Sequence, residues 1–169
     1  MVEVILRAVR VDVGSSTPLL LLEEVAGDRV LPIFIGAPDA TAIAYALQGV
    51  KAPRPMSHDL LGNVITALGA RLFAAEITEL RDNTFIANLR LVRNHEEINV
   101  SARPSDAVAL ALRIGAPILV NDELMAAEGK LMDLNPSNDD EEVEPPNEAD
   151  LVAELREFLD SVRPEDFGQ

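Results

Sequence analysis

The chain has 169 residues, a formal net charge of −15, no cysteine and only 4% aromatic residues. That length supports one sizeable core plus an appendage, and the missing cysteine excludes disulfides, thiolate metal sites and cysteine nucleophiles and fits a reducing cytoplasm. Residues 1–132 carry 12 Lys/Arg against 16 Asp/Glu, whereas residues 133–169 carry 2 against 13, so neither part has the basic excess that holds a phosphate backbone by counterion release.

Met1 to Val13 alternates as a strand whose phase changes partway. Val2, Val4, Leu6 and Ala8 share one face and Val9, Val11 and Val13 the other, which a bulge near Ala8-Val9 reconciles. Acids and bases throughout this segment leave neither a signal-peptide core nor a membrane span, and a cytoplasmic location is expected. Strands follow at Leu19 to Val25 and Arg29 to Ile35, where Pro32 points to an edge or a bulge.

Pro38 and Asp39 suit the first turn of a helix that runs to Gly49 and is apolar nearly all round. The two prolines of VKAPRPMSH enforce a loop. A helix from Asp59 to Leu68 then places Leu60, Leu61, Val64, Ile65 and Leu68 on one face, an amphipathic surface helix. Arg71 to Leu80, Thr84 to Val92 and Glu97 to Arg103 read as an antiparallel meander with turns at Arg81-Asp82-Asn83 and Asn94-His95.

The stretch NVSARPSDAVALALRIGAPILV organises the rest. It gives a strand, an Arg103-Pro104 corner, a helix apolar on every side that must therefore be buried, a Gly115 stop and a last apolar strand. A short helix is expected over Asp122 to Glu128. The folded domain is expected to span residues 1–132, followed by an acidic disordered linker over 133–148 and a C-terminal helical tail over 149–169. The predicted class is α+β, an antiparallel or mixed sheet with buried alanine-rich helices.

Most catalytic motifs are missing. Pro38-Asp39 with Glu128-Gly129-Lys130 imitates a nuclease Pro-Asp…Glu-x-Lys set but is set aside, because that set needs its acids on neighbouring strands. Two Arg-Pro corners remain: Arg54-Pro55 before Ser57-His58-Asp59, and Arg103-Pro104 before Ser105-Asp106. The plain reading is helix capping, with Arg paired to Asp. The functional reading has the corners converge. Arg54, Arg103 and Ser105 then bind phosphate, Asp59 and Asp106 share a Mg²⁺ or Mn²⁺, and His58 with the two aspartates performs phosphodiester hydrolysis. Asp39, Asp122 and Glu123 are weaker candidates, and His95 reads as a solvated turn residue.

Three stretches, LPIFIGAPDATAIAYALQGVKAPRPMSHDLL, LGARLFAAEITELRDNTFIANLRL and INVSARPSDAVALALRIGAPILV, resemble the bifunctional nuclease (BFN) domain family, and the ending EFLDSVRPEDF resembles the tail of its actinobacterial members. The resemblance implies an α+β domain, a homo-oligomer such as a dimer or trimer, and nuclease (hydrolase) activity on DNA and RNA. Where members commonly carry Gly-Thr-Phe-Tyr-Ala, this chain has Asn83-Thr84-Phe85-Ile86-Ala87. The alternative function is a non-catalytic oligomeric binding or regulatory module, suggested by the acidic core, the scarcity of aromatics for base stacking and the missing catalytic motifs.

Overall fold

The computed structural model describes residues 1–12 and 14–131; the predicted linker and C-terminal helix lie outside them. Eight strands and four helices follow in the order β1 (Val2–Asp12), β2 (Thr17–Glu24), β3 (Arg29–Phe34), α1 (Ala37–Leu47), α2 (Ser57–Ala67), β4 (Arg71–Arg81), β5 (Thr84–Arg93), β6 (Glu96–Ala102), α3 (Pro104–Ile114), β7 (Ile118–Val120), α4 (Asp122–Glu128) and β8 (Lys130–Leu131). The strands form one mixed sheet in the order β6-β5-β4-β7-β1-β2-β3-β8, so the class is α+β.

The sheet is two antiparallel meanders stitched by β7. This three-residue strand runs parallel to β4 and antiparallel to β1. The α3 helix is the crossover that carries the chain back from β6 to that position, as a parallel connection requires. The phase change in β1 is a bulge: the register with β2 shifts between Leu6 and Ala8. Pro32 pairs with Leu21 on one side only, since β8 reaches no further than Arg29 and Val30. Its missing N–H is therefore harmless. The meander turns are two-residue hairpins, Asp82-Asn83 and Asn94-His95, with all four residues at positive φ, as tight I′ turns demand.

The all-apolar α3 is buried as its composition requires: Ala107, Val108, Ala109, Leu110 and Ala111 are at most 1% exposed. Pro104 opens it and Gly115, at φ 74°, closes it in the left-handed conformation. It packs against α1, α2, β4 and β5. The expectation for α1 is met less fully, because only Ala40, Ile43 and Ala44 are buried there and Leu47 is exposed.

The α2 helix departs from the sequence reading. It starts two residues early, at Ser57, and only Ile65 of its apolar face is buried; Leu60, Leu61, Val64 and Leu68 are exposed. Gly62, rather than the leucine stripe, faces α3. A Cβ there would stand 3.4 Å from Ile114 Cδ1, so the helix approaches through its smallest residue. Among the described residues no helix is long and apolar enough to cross a membrane.

Candidate functional site

Three distant segments meet at the N-terminal end of α3. Arg103 donates from Nε to Asp106 Oδ2 (2.8 Å), from Nη2 to Asp106 Oδ1 (3.1 Å) and Asp39 Oδ1 (3.2 Å), and from Nη1 to Asp39 Oδ2 (3.1 Å). Four of its five N–H groups are thus engaged and one on Nη1 is left. Ser105, buried, donates its hydroxyl to Asp39 Oδ2 at 3.2 Å. His58 Nε2 lies 3.2 Å from Asp106 Oδ1. The result is a continuous chain, Ser105–Asp39–Arg103–Asp106–His58, on the first turns of α1, α2 and α3.

The two corners therefore do converge, through His58 and Asp106. Asp59 belongs to a second cluster. Its Oδ2 accepts the Met56 N–H at the start of α2 (2.9 Å) and its Oδ1 accepts Arg113 Nε (2.9 Å). Arg113 also donates to the carbonyls of Ala42 (2.8 Å) and Ala109 (3.1 Å), tying all three helices together. Arg54 is exposed, and no hydrogen bond or ion pair joins it to either cluster among the described residues.

Capping explains less than the sequence suggests. Asp59 does serve the start of α2, but no side chain caps α3; Ser105 and Asp106 turn instead to Asp39, Arg103 and His58. Asp122 and Glu123 lie elsewhere, in the first turn of α4, where Asp122 pairs with the Met1 ammonium group and Asn121 caps the helix. His95 is an exposed turn residue. Pro38-Asp39 opens α1, whereas Glu128 ends α4 and Lys130 sits in β8, so the nuclease-like set is not assembled on neighbouring strands.

A cleft of roughly 400 Å³ opens beside the Arg103 network. Phe34, Ile35 and Gly36 at the end of β3 form one side, the Asn83-Thr84-Phe85 turn another, and Asp39, Arg103 and Ser105 line it as well. Four strands separate β3 from β5 in the sheet, which in a flat sheet would place them about 24 Å apart. Their meeting across one small cleft means that the sheet curls toward the helices, with α3 against β4 and β5 and α1 against β1 and β2.

Burial is the largest influence on Asp106 and acts to raise its pKa, but its hydrogen bonds from Arg103 and His58 together prevail and hold the carboxyl below its ordinary value. Arg103 is raised, first by its hydrogen bonds to Asp106 and then by the charges of Asp106 and Asp39. Glu24, which takes a two-point bond from Arg29, is also lowered. A carboxyl depressed in the folded state contributes stability that is present above its unfolded pKa, about 4, and lost as pH falls through the folded value. The melting temperature is therefore expected to hold between about pH 7 and 5 and to fall steeply below about pH 4. Greater stability at pH 3 than at pH 6 would contradict this.

The metal pair anticipated at Asp59 and Asp106 does not fit a shared ion site as placed. The two carboxylates are held by different arginines, and each of their oxygens already accepts an N–H. Among the described residues no group of three or more His, Asp or Glu side chains is arranged to hold an ion. The sequence reading missed Arg113, whose only local signal is a charge at the end of an otherwise apolar helix. It also gave no sign that Asp39 would meet Arg103, because nothing local foretells a partner 64 residues away.

An uncharacterized protein of Mycobacterium tuberculosis is 47% identical over 165 residues, spanning 98% of this chain and 97% of its own length. Bifunctional nuclease 1 of Oryza sativa subsp. indica is 29% identical over 106 residues, 61% of this chain, and Bifunctional nuclease 2 of Arabidopsis thaliana 25% identical over 169 residues, 88% of this chain. The aligned parts are 32% and 51% of those plant proteins' own lengths. The family model for the bifunctional nuclease domain matches residues 20–133. That range holds both arginine clusters and every lining residue of the cleft, and the chain belongs to the bifunctional nuclease domain family.

Proposed function

We propose that the chain is a nuclease that cleaves DNA or RNA phosphodiesters in the cleft beside Arg103. The observation that carries this reading is the convergence of Asp39, Arg103 and Ser105 on the cleft with the Asp106–His58 pair joined directly to Arg103. Arg103 keeps one Nη1 hydrogen, and its side chain is 64% exposed, so a phosphate oxygen can reach a fixed guanidinium. Asp106 Oδ1, 3.2 Å from Nε2, orients the imidazole of His58, which is how a carboxylate positions a histidine for general acid–base work. Family membership and the names of the plant relatives support the same chemistry.

The test is cleavage of end-labelled single-stranded DNA and RNA by the purified full chain, with Mg²⁺, with Mn²⁺ and with EDTA. Asp39→Asn and Asp106→Asn are each expected to slow the initial rate by about 100-fold. Wild-type rates in both variants would remove the site assignment, and loss of cleavage in EDTA would reveal an ion requirement.

The second reading, a non-catalytic oligomeric module, is favoured by the carboxylates already faced by arginine and by the apolar stripe on α2. In either reading we propose self-association, as a dimer or trimer, through Leu60, Leu61, Val64 and Leu68, since a contiguous exposed apolar patch marks an interaction surface. Light scattering is expected to return a multiple of the chain mass for wild type and a single chain for Leu61→Glu/Val64→Glu. A monomeric wild type would end the proposal.

A further inference from the structure

We infer that the cleft takes a single-stranded nucleic acid and that Phe34 is its base-stacking platform; the inference rests on the phosphodiester reading above and deepens it. Phe34 lines the cleft together with Arg103 and Ser105 and is 61% exposed, whereas its strand neighbours Ile33 and Ile35 are buried. The chain has only five phenylalanines and one tyrosine, and two of these six rings, Phe34 and Phe85, border this cleft. The backbone under Phe34 is fixed: Phe34 pairs with Leu19 in the β2–β3 ladder, and the next N–H, of Ile35, donates to the Pro18 carbonyl at 2.8 Å. An exposed ring on a fixed strand end offers a π-face without an ordering cost of its own backbone.

Charge explains why such a platform is needed. Arg103 faces two carboxylates, Asp39 and Asp106, so the attraction that the site offers a polyanion is small, and affinity must come from elsewhere. Stacking supplies it and is indifferent to base identity. A base that reaches Phe34 while its phosphate lies at Arg103 has left any duplex stack, and unstacking a paired base is costly. Single strands are therefore the preferred substrate class, with Asn83 and Thr84 on the facing turn to meet a base edge or a sugar hydroxyl.

The test is fluorescence anisotropy of labelled twelve-nucleotide probes with the full chain: a thymidine single strand, the same strand with abasic sites, and a duplex, each checked for integrity on a denaturing gel. Phe34→Ala is expected to weaken the intact single strand by about five- to 150-fold, Phe34→Trp to retain it, and wild type to bind the abasic strand and the duplex as weakly as Phe34→Ala binds the intact strand. A plot of log affinity against log salt should have a slope near about −0.7, one phosphate contact. Equal affinity of wild type and Phe34→Ala, or of intact and abasic strands, overturns the platform. If strands are still cut in that case, only this inference falls. If no probe is bound or cut and the RNA of the cleavage assay is also left intact, the phosphodiester reading falls with it.

Discussion

Arg103→Ala is expected to lower kcat/KM for oligonucleotide cleavage by about 100- to 1,000-fold, the usual cost of deleting a preorganised charge from a phosphoryl site. The loss has two sources. The phosphate partner disappears, and Asp39 and Asp106, which both bond the same Nη2 within 3.2 Å, are left as unneutralised neighbours. Their mutual repulsion raises at least one carboxyl pKa, so the residual activity should also shift in its pH profile. Arg103→Lys should recover only part of the rate, because an ammonium cannot address two carboxylates through a planar fork. Initial rates across pH check this, with thermal melts to confirm folding. Wild-type kcat/KM in Arg103→Ala would dismiss the cleft as the reaction site.

The second large effect is structural. Arg113 is 10% exposed in its side chain and serves one carboxylate and two backbone carbonyls on three helices. Removing it leaves the Ala42 carbonyl without this donor and Asp59 without its counter-charge. Arg113→Ala is expected to cost about 2–4 kcal/mol and to lower the melting temperature by roughly 10 °C. Asp59→Asn should cost about 1 kcal/mol or less, since Asp59 is 38% exposed and water screens its loss. Urea denaturation measures both. Equal costs for the two variants would show that the arginine acts only through its ion pair.

Features with a local cause were legible in the sequence. The phase change of β1, the two hairpin turns, the Gly115 stop and the pairing of Arg103 with Asp106 each follow from residues adjacent in the chain, and each is present. What depended on distant neighbours was not legible. Asp39 reads locally as a favourable charge at a helix start, yet its role is set by Arg103 and Ser105. Asp59 and Asp106 look equivalent beside their Arg-Pro corners, but α3 carries Arg113 two turns further on, and that part-buried guanidinium draws Asp59 away. On α2 the periodicity reveals an apolar face without saying what covers it, and the close approach to α3 is made through Gly62 instead.

The brevity of β7 has a consequence for the cleft. One wall comes from the β1-β2-β3 meander and the other from β4-β5-β6, and within the sheet the two are joined only through the three residue pairs that Ile118–Val120 makes on either side. The strand pairing that sets the two walls against each other is therefore carried by residues that line no part of the cleft, while the Arg103–Asp39 bonds tie the walls directly across it.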